Sequence, residues 1–288
     1  MARSSRVSAK GLYHHIFARG NNRNPIFKHH THYEKYLHYL ELYSSRYAIG
    51  VIAYALIKDH IHLFIFDTNK HISQFINSLH GRYAQFFNQS TKRIGHVFGG
   101  RYKNKIVQIN KYGLWLSRYI HRQAVELNIV KDPSFYQWTS YRAYIGQEPK
   151  RFIEPGVILE QFGSGRTARQ RYKQFVLGTE EEPIGFDENS ESIIGDEKFI
   201  ENIEATTKHD NKEDEIDGVS LIKAVANHFK TTPDKLLMPR GFSAKRLRHK
   251  VFLSLVEKYC LSASRIGKLF NVTPMAVTRV LEKAYRQK

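Results

Sequence analysis

In the run Lys58-Asp59-His60-Ile61-His62-Leu63-Phe64-Ile65-Phe66, two histidines stand one residue apart at the head of a β-branched and aromatic stretch. Successive side chains of a strand point to opposite faces, so a strand here sends both imidazoles to one side and Ile61 to the other. Two imidazoles sharing a face form a two-pronged grip for a divalent metal ion. Fifteen histidines are scattered through the chain, so the pair by itself is also compatible with chance, and companions must come from elsewhere in the sequence.

The elements around the pair follow from periodicity. Apolar runs predict strands over 12–18, 51–57, 60–66 and 105–109. Helical spacing, as in Tyr36, Leu37, Tyr39, Leu40 and Tyr43, predicts helices over 33–47, 72–87 and 114–127. Strand, helix, two hairpin strands joined at Lys58-Asp59, helix and strand is the split βαβ order of a ferredoxin-like antiparallel sheet, which puts His60 and His62 on a central strand. The expected class is therefore α+β for residues 1–150, followed by a helical extension over 151–178 read as one stretch from 157 to 177.

Charge sets the class of partner. The chain carries 45 Lys and Arg against 27 Asp and Glu, a formal net charge of +18. The acids are unevenly placed: 15 of them, with only Lys198, Lys208 and Lys212 as bases, fall between Glu180 and Asp217. The rest of the chain is correspondingly more basic, and its cations are interleaved with Tyr and Phe, as neutralising a phosphate backbone requires. Arg19, Arg23, Arg101, Lys103 and Lys105 are the candidates for gripping a nucleic-acid strand. No apolar run approaches the ~20 residues of a membrane-spanning helix, and residues 1–10 lack the apolar core of a secretory signal. The single Cys260 excludes an intramolecular disulfide and a cysteine-rich zinc site. The expectation is a soluble cytoplasmic protein, associated with the nucleoid and without a membrane partner.

The acidic segment 179–217 reads as a solvated linker with one short helix near 197–203, because its apolar content is too low for a core of its own. Residues 218–288 read as all-α, with helices over 220–229, 244–259, 263–270 and 274–285. Within them, a short helix ending at Phe270, a polar turn, Thr273 placed to cap and Pro274 at the first helical turn give the cadence of a helix-turn-helix. Arg279 and Lys283 lie on its last helix as candidate duplex-DNA contacts. The segment resembles the C-terminal DNA-binding domain of the replication initiator DnaA.

A sharper resemblance covers residues 5–146. Gly11-Leu12-Tyr13-His14-His15-Ile16-Phe17-Ala18-Arg19-Gly20-Asn21-Asn22-Arg23, the His60-Ile61-His62 strand, Ser117-Arg118-Tyr119-Ile120-His121-Arg122-Gln123 and Trp138-Thr139-Ser140-Tyr141-Arg142-Ala143-Tyr144 occur in this order. They resemble the single-tyrosine transposases of the HUH superfamily, and within them the transposases associated with repetitive extragenic palindromes. The resemblance implies a metal-dependent nuclease and strand transferase that cuts single-stranded DNA at hairpin-marked sites, in transposition or repeat mobilisation. It implies Tyr119 as nucleophile, a covalent 5′-phosphotyrosine intermediate and a free 3′-hydroxyl. Gln123, one helical turn after Tyr119 and so on the same face, is implied as third metal ligand beside His60 and His62. Many palindrome-associated relatives carry asparagine there, usually before proline, where this chain has Gln123-Ala124.

Physical chemistry supports such a pairing. A phenol with a pKa of about 10 is a poor nucleophile at neutral pH, and a metal on the phosphate oxygens compensates by making phosphorus more electrophilic. Two imidazoles with oxygen donors suit Mg²⁺ or Mn²⁺, whereas zinc usually brings thiols or a third histidine. Tyr102 and Tyr112 are rival tyrosines outside the matched position, and His121, two residues from Tyr119, is expected to face away. Related proteins act both as monomers and by exchanging the tyrosine helix between subunits, which leaves a homodimer open. Two other functions remain in view: a DNA-binding regulator on an inactive nuclease fold, and an RNA-binding protein, although the aromatic signature of sheet-based RNA readers is missing.

Overall fold

The computed structural model describes residues 10–148, 150–179, 186, 191–213, 218–239, 241–259, 261 and 263–285. Contacts divide the chain into a unit of residues 1–207 and a second of residues 208–288.

The first unit is built on a five-stranded sheet of order β2-β3-β1-β4-β5. Its strands are β1 (Leu12–Arg19), β2 (Ile49–Ile57), β3 (His60–Asp67), β4 (Lys103–Val107) and β5 (Ile193–Ile194). β1 lies antiparallel between β3 and β4, and β2 pairs antiparallel with β3. This is the α+β, ferredoxin-like arrangement expected from the element order, with the histidine pair on an interior strand.

Helices α1 (His30–Tyr47) and α2 (Ile72–Thr91) pack together through Tyr36 and Tyr83, whose rings meet edge to face at 5.1 Å. The buried Asp67 carboxylate, at the end of β3, accepts from the amides of His71 and Ile72 at 2.9 and 2.8 Å and so satisfies donors at the start of α2.

Helix α3 (Leu114–Glu126), which carries Tyr119 and Gln123, packs against β2 and β3. The register explains its close fit. Ala55 lies opposite His62 and Ala53 opposite Phe64, so β2 offers only methyl groups beside those two residues, with the larger Ile57 opposite His60. A five-residue turn of π-helix, Ile109–Gly113, leads into α3 in place of the last residues expected for β4.

A buried hydrogen-bonded chain anchors α3. Tyr172 donates to Ser117 Oγ (3.0 Å) and bonds His121 Nδ1 (2.7 Å), His121 Nε2 bonds Ser140 Oγ (2.7 Å), and Ser140 Oγ accepts from the Tyr54 amide on β2 (2.9 Å). Ser140 precedes the short helix α4 (Tyr141–Tyr144), whose Tyr144 hydroxyl donates to the Ile52 carbonyl. The 157–177 stretch is not one helix. It divides into α5 (Gly156–Leu159), a 3₁₀ turn and α6 (Gly165–Leu177), because Gly163 and Gly165 take φ of 107° and 59°, conformations that end a right-handed helix. Arg118 donates to the Phe175 and Gly178 carbonyls and Arg122 to that of Val176, covering the C-terminal end of α6.

The acidic segment is not a spacer throughout. β5 pairs in parallel with β4, and helix α7 (Glu197–Glu213) follows it. Ile193 and Ile203 are buried with Leu12 and Ile106, with Phe199 and Ile200 packed alongside. Few apolar residues suffice here because they cover an existing sheet edge and need no separate core.

The second unit contains α8 (Gly218–His228), α9 (Pro233–Leu237), α10 (Gly241–Tyr259), α11 (Ala263–Leu269) and α12 (Pro274–Tyr285) around Val225, Leu236, Val251, Phe252, Leu255, Ile266, Phe270 and Val277. The five-residue α9 was not expected from the sequence. Between α11 and α12, Asn271 is left-handed (φ 49°), and a Cβ on Gly267 would lie 2.7 Å from the Val272 carbonyl, so the turn requires glycine there. Thr273 Oγ1 accepts from the Ala276 amide at 3.2 Å, the cap anticipated for α12. No helix among the described residues is long and apolar enough to cross a membrane.

Candidate active site

The turn before the histidine pair is pinned from outside. Lys58 O accepts from the Ile26 and Phe27 amides and Asp59 O from Gly20, so the loop after β1 fixes the start of β3. His60 and His62 then project from one face with ring centroids 5.2 Å apart, nearly perpendicular, and both are buried.

Each ring has one nitrogen already engaged. Asp59 Oδ1 lies 2.7 Å from His60 Nδ1, and His15 Nε2, on β1, lies 3.0 Å from His62 Nδ1. Nε2 is therefore the nitrogen left on both. The Gln123 side chain hydrogen-bonds both imidazoles, favouring their protonated forms. One N–H of its amide donates to the Tyr119 carbonyl at 3.3 Å. Burial outweighs these bonds: it lowers the pKa of His60, and it lowers that of His62 further, with His15, His60 and Arg19 adding to the effect. Burial, then Lys105, brings His15 to about 3. All three rings are neutral at pH 7, as imidazole ligands must be.

Tyr119 is half-buried and meets the pair edge-on, its ring centroid 5.5 Å from that of His62 and 6.0 Å from that of His15. Phe186, buried within the acidic segment, lies 5.7 Å from the same ring. The rival tyrosines lie elsewhere. Tyr102 Oη is near Ser73 Oγ at 3.4 Å, and Tyr112 sits under Lys111. His121 is fully buried in the anchoring chain, facing away from Tyr119 as its spacing suggests.

Among the described residues no group of three or more His, Cys, Asp and Glu is placed to hold a metal. The convergent donors here are two imidazole nitrogens and one amide oxygen, a mixed set that fits Mg²⁺ or Mn²⁺ completed by water or phosphate oxygens and lacks the thiols or third imidazole usual for zinc.

Four of the cations singled out from sequence line one cleft of about 290 Å³ with Phe17, Asn21, Asn22, Gly99 and Gly100: Arg19, Arg23, Arg101 and Lys103. Arg19 lies over the Phe17 ring at 5.0 Å, and Phe17 in turn contacts His60 and His62 at 5.7 and 5.0 Å, so one wall of the cleft also touches the histidines. Lys105 lies apart, buried in register with His15. A neighbouring cavity of about 730 Å³ shares Asn21, Gly99, Gly100 and Arg101 and is walled by His80, Phe98 and Tyr102. In the second unit Arg279 is exposed on α12, and the Lys283 side chain lies outside the described residues. Sequence reasoning missed His15 and Asp59. The adjacency of Asp59 to His60 was a usable signal, whereas the contact of His15 with His62 depends on strand register.

Residues 8–123 match the family model of IS200-like transposases. No curated protein matches the chain. Among solved structures, the chain is similar to a REP-associated tyrosine transposase bound to a REP hairpin, at 14% identity and a TM-score of 0.44, covering 55% of this chain and 93% of that one. It is also similar to a structure described as a transposase from Deinococcus radiodurans r1, at 17% identity and a TM-score of 0.31, covering 42% of this chain and 98% of that one.

Proposed function

We propose, on the premise that residues 8–123 belong to the IS200-like transposase family, that this chain nicks and rejoins single-stranded DNA through a covalent bond to Tyr119. The observation that carries the reading is the convergence of Tyr119 and Gln123, one turn apart on α3, upon His60 and His62 on β3.

In this reading the strand lies in the cleft of Arg19, Arg23, Arg101 and Lys103, which neutralises its phosphates and sets its register. His60, His62 and Gln123 would hold the divalent ion, which when bound withdraws charge from the non-bridging oxygens of the scissile phosphate. Tyr119 Oη attacks phosphorus and loses its proton to solvent. An Oη–P bond forms to the 5′ phosphate, the P–O3′ bond breaks, and the departing 3′ oxygen takes up a proton. Attack by a 3′-hydroxyl on the phosphotyrosine reverses these bonds and joins strands. The anchoring of α3 by Ser117, Arg118, His121 and Arg122 supports delivery of Tyr119 with little conformational search. The solved relative bound to a hairpin suggests hairpin DNA as the substrate. The second unit, with its capped α12 and exposed Arg279, is read as a duplex-DNA anchor.

The test is incubation with labelled single-stranded hairpins and Mn²⁺. The reading expects a product with a free 3′-hydroxyl, its other end blocked by protein, and no product in EDTA. Cleavage that leaves both ends free, or that survives EDTA, would contradict it.

A further inference from the structure

His15 touches no candidate substrate surface, yet its imidazole is the partner of a metal-facing histidine. It sits on β1 diagonally from His62 across the antiparallel pair, since Phe17 is directly opposite His62 and His15 opposite Phe64. The two rings stack with an interplanar angle of 17° and centroids 5.3 Å apart, and Nε2 of His15 is 3.0 Å from Nδ1 of His62. Its other nitrogen, Nδ1, is buried with no hydrogen-bond partner among the described residues. A ring with one satisfied nitrogen, aimed at another histidine, is poorly explained by packing alone.

Two neutral imidazoles joined in this way share one N–H between the facing nitrogens. If His15 holds it, His62 must carry its own proton on Nε2, the nitrogen on the side of Gln123, and no lone pair is left there for a cation. If His62 holds it on Nδ1, Nε2 of His62 is a free donor and Nε2 of His15 is the acceptor. Only the second arrangement is compatible with a metal ligand at His62. Remove the acceptor, and His62 Nδ1–H is left unpaired in a dry interior, against the tautomer a metal needs.

We infer that His15 is a positioning residue that accepts the Nδ1–H of His62, fixing the tautomer and orientation in which His62 Nε2 binds the divalent ion. The inference rests on the reading of His60, His62 and Gln123 as a metal site and assigns that site a support on a different strand. Asp59 plays the corresponding part for His60, with a carboxylate at 2.7 Å.

The experiment is Mn²⁺ binding to the full chain without DNA, followed by electron paramagnetic resonance, for wild type, His60→Ala, His15→Phe and His15→Gln. His15→Phe keeps a buried ring and removes the acceptor, and its affinity should fall about 10- to 100-fold. His15→Gln can place an amide oxygen near the lost Nε2 and should recover affinity to within a few-fold of wild type. Wild-type affinity in His15→Phe would overturn the inference, as would equal losses in the Phe and Gln variants with far-UV circular dichroism unchanged. If wild type binds no Mn²⁺, or His60→Ala binds it equally well, the underlying metal reading fails instead. A measurement without variants covers misfolding: in Mg²⁺-saturated wild type, long-range ¹H–¹⁵N spectra should show His62 protonated at Nδ1 and His15 bare at Nε2. A protonated His15 Nε2 would overturn the inference.

Discussion

Lowering the pH from 7.5 to 5.0 should destabilise the first unit severely; two histidines outside the candidate metal set give a lower bound, to which His14 and His15, held by burial at about 4 and about 3, add in the same direction. His80, bonded through Nε2 to the Tyr36 hydroxyl at 3.1 Å, and His121, bonded to Tyr172 and Ser140, are both held by burial at a pKa of about 3. In the unfolded chain each returns to about 6.5. A folded pKa below the unfolded one means that the unfolded state binds more protons, so stability is intact above about 6.5 and is lost as the pH falls toward 3. At pH 5 the unfolded imidazole sits about 1.5 units below its pKa while the folded one remains neutral, which costs about 2 kcal/mol per residue and about 4 kcal/mol for the pair. That is a large part of a typical total of about 5–15 kcal/mol. Both tryptophans, Trp115 and Trp138, lie in the first unit. Urea unfolding followed by tryptophan fluorescence in EDTA therefore isolates it from the helical unit. Unfolding free energies equal within about 1 kcal/mol at the two pH values would refute the assignment of the buried His121 and the half-buried His80 as neutral rings.

Ser140→Ala should strand the Tyr54 amide and His121 Nε2 without partners, at about 1–3 kcal/mol each. Calorimetry should show the melting point of the first unit fall by about 5–15 °C, and single-turnover adduct formation should slow more than strand binding weakens. Arg23→Ala and Arg101→Ala, in the cationic cleft, should each weaken single-strand binding and lower the slope of log affinity against log salt by about 0.7, measured by fluorescence anisotropy; unchanged slopes would remove the cleft from the DNA path. Because Tyr119 packs on His62 of its own chain, mixing Tyr119→Phe with His60→Ala protein should restore no adduct on a denaturing gel, whereas substantial recovery would mean that the tyrosine helix is exchanged between subunits.

The parts of the fold that follow local rules were legible in the sequence. Alternation placed His60 and His62 on one face, and the order of strand and helix signals placed β3 inside the sheet, because binary patterning and connection order constrain a ferredoxin-like sheet strongly. What escaped was set by distant pairing. β5 is two residues long and is defined only by its partner β4, so no window of the acidic segment announces it. His15 faces His62 across 47 residues through strand register, a relation no spacing encodes. Lys105 looked like one more surface cation, and only the β1–β4 register shows it buried opposite His15. The four other cations of the first unit were found as residues but not as a cleft, since their convergence depends on the close approach of Gly99 to Gly20 and Asn21.

Attack by Tyr119 on DNA beside a metal held by His60, His62 and Gln123 would be read from the covalent adduct itself. Wild-type protein with Mn²⁺ and a labelled hairpin-bearing single strand should give a denaturation-resistant complex whose tryptic mass map places the nucleotide on Tyr119, and Tyr119→Phe should give none. An adduct of unchanged yield in Tyr119→Phe, or a nucleotide mapped to another residue, would mean that Tyr119 is not the nucleophile.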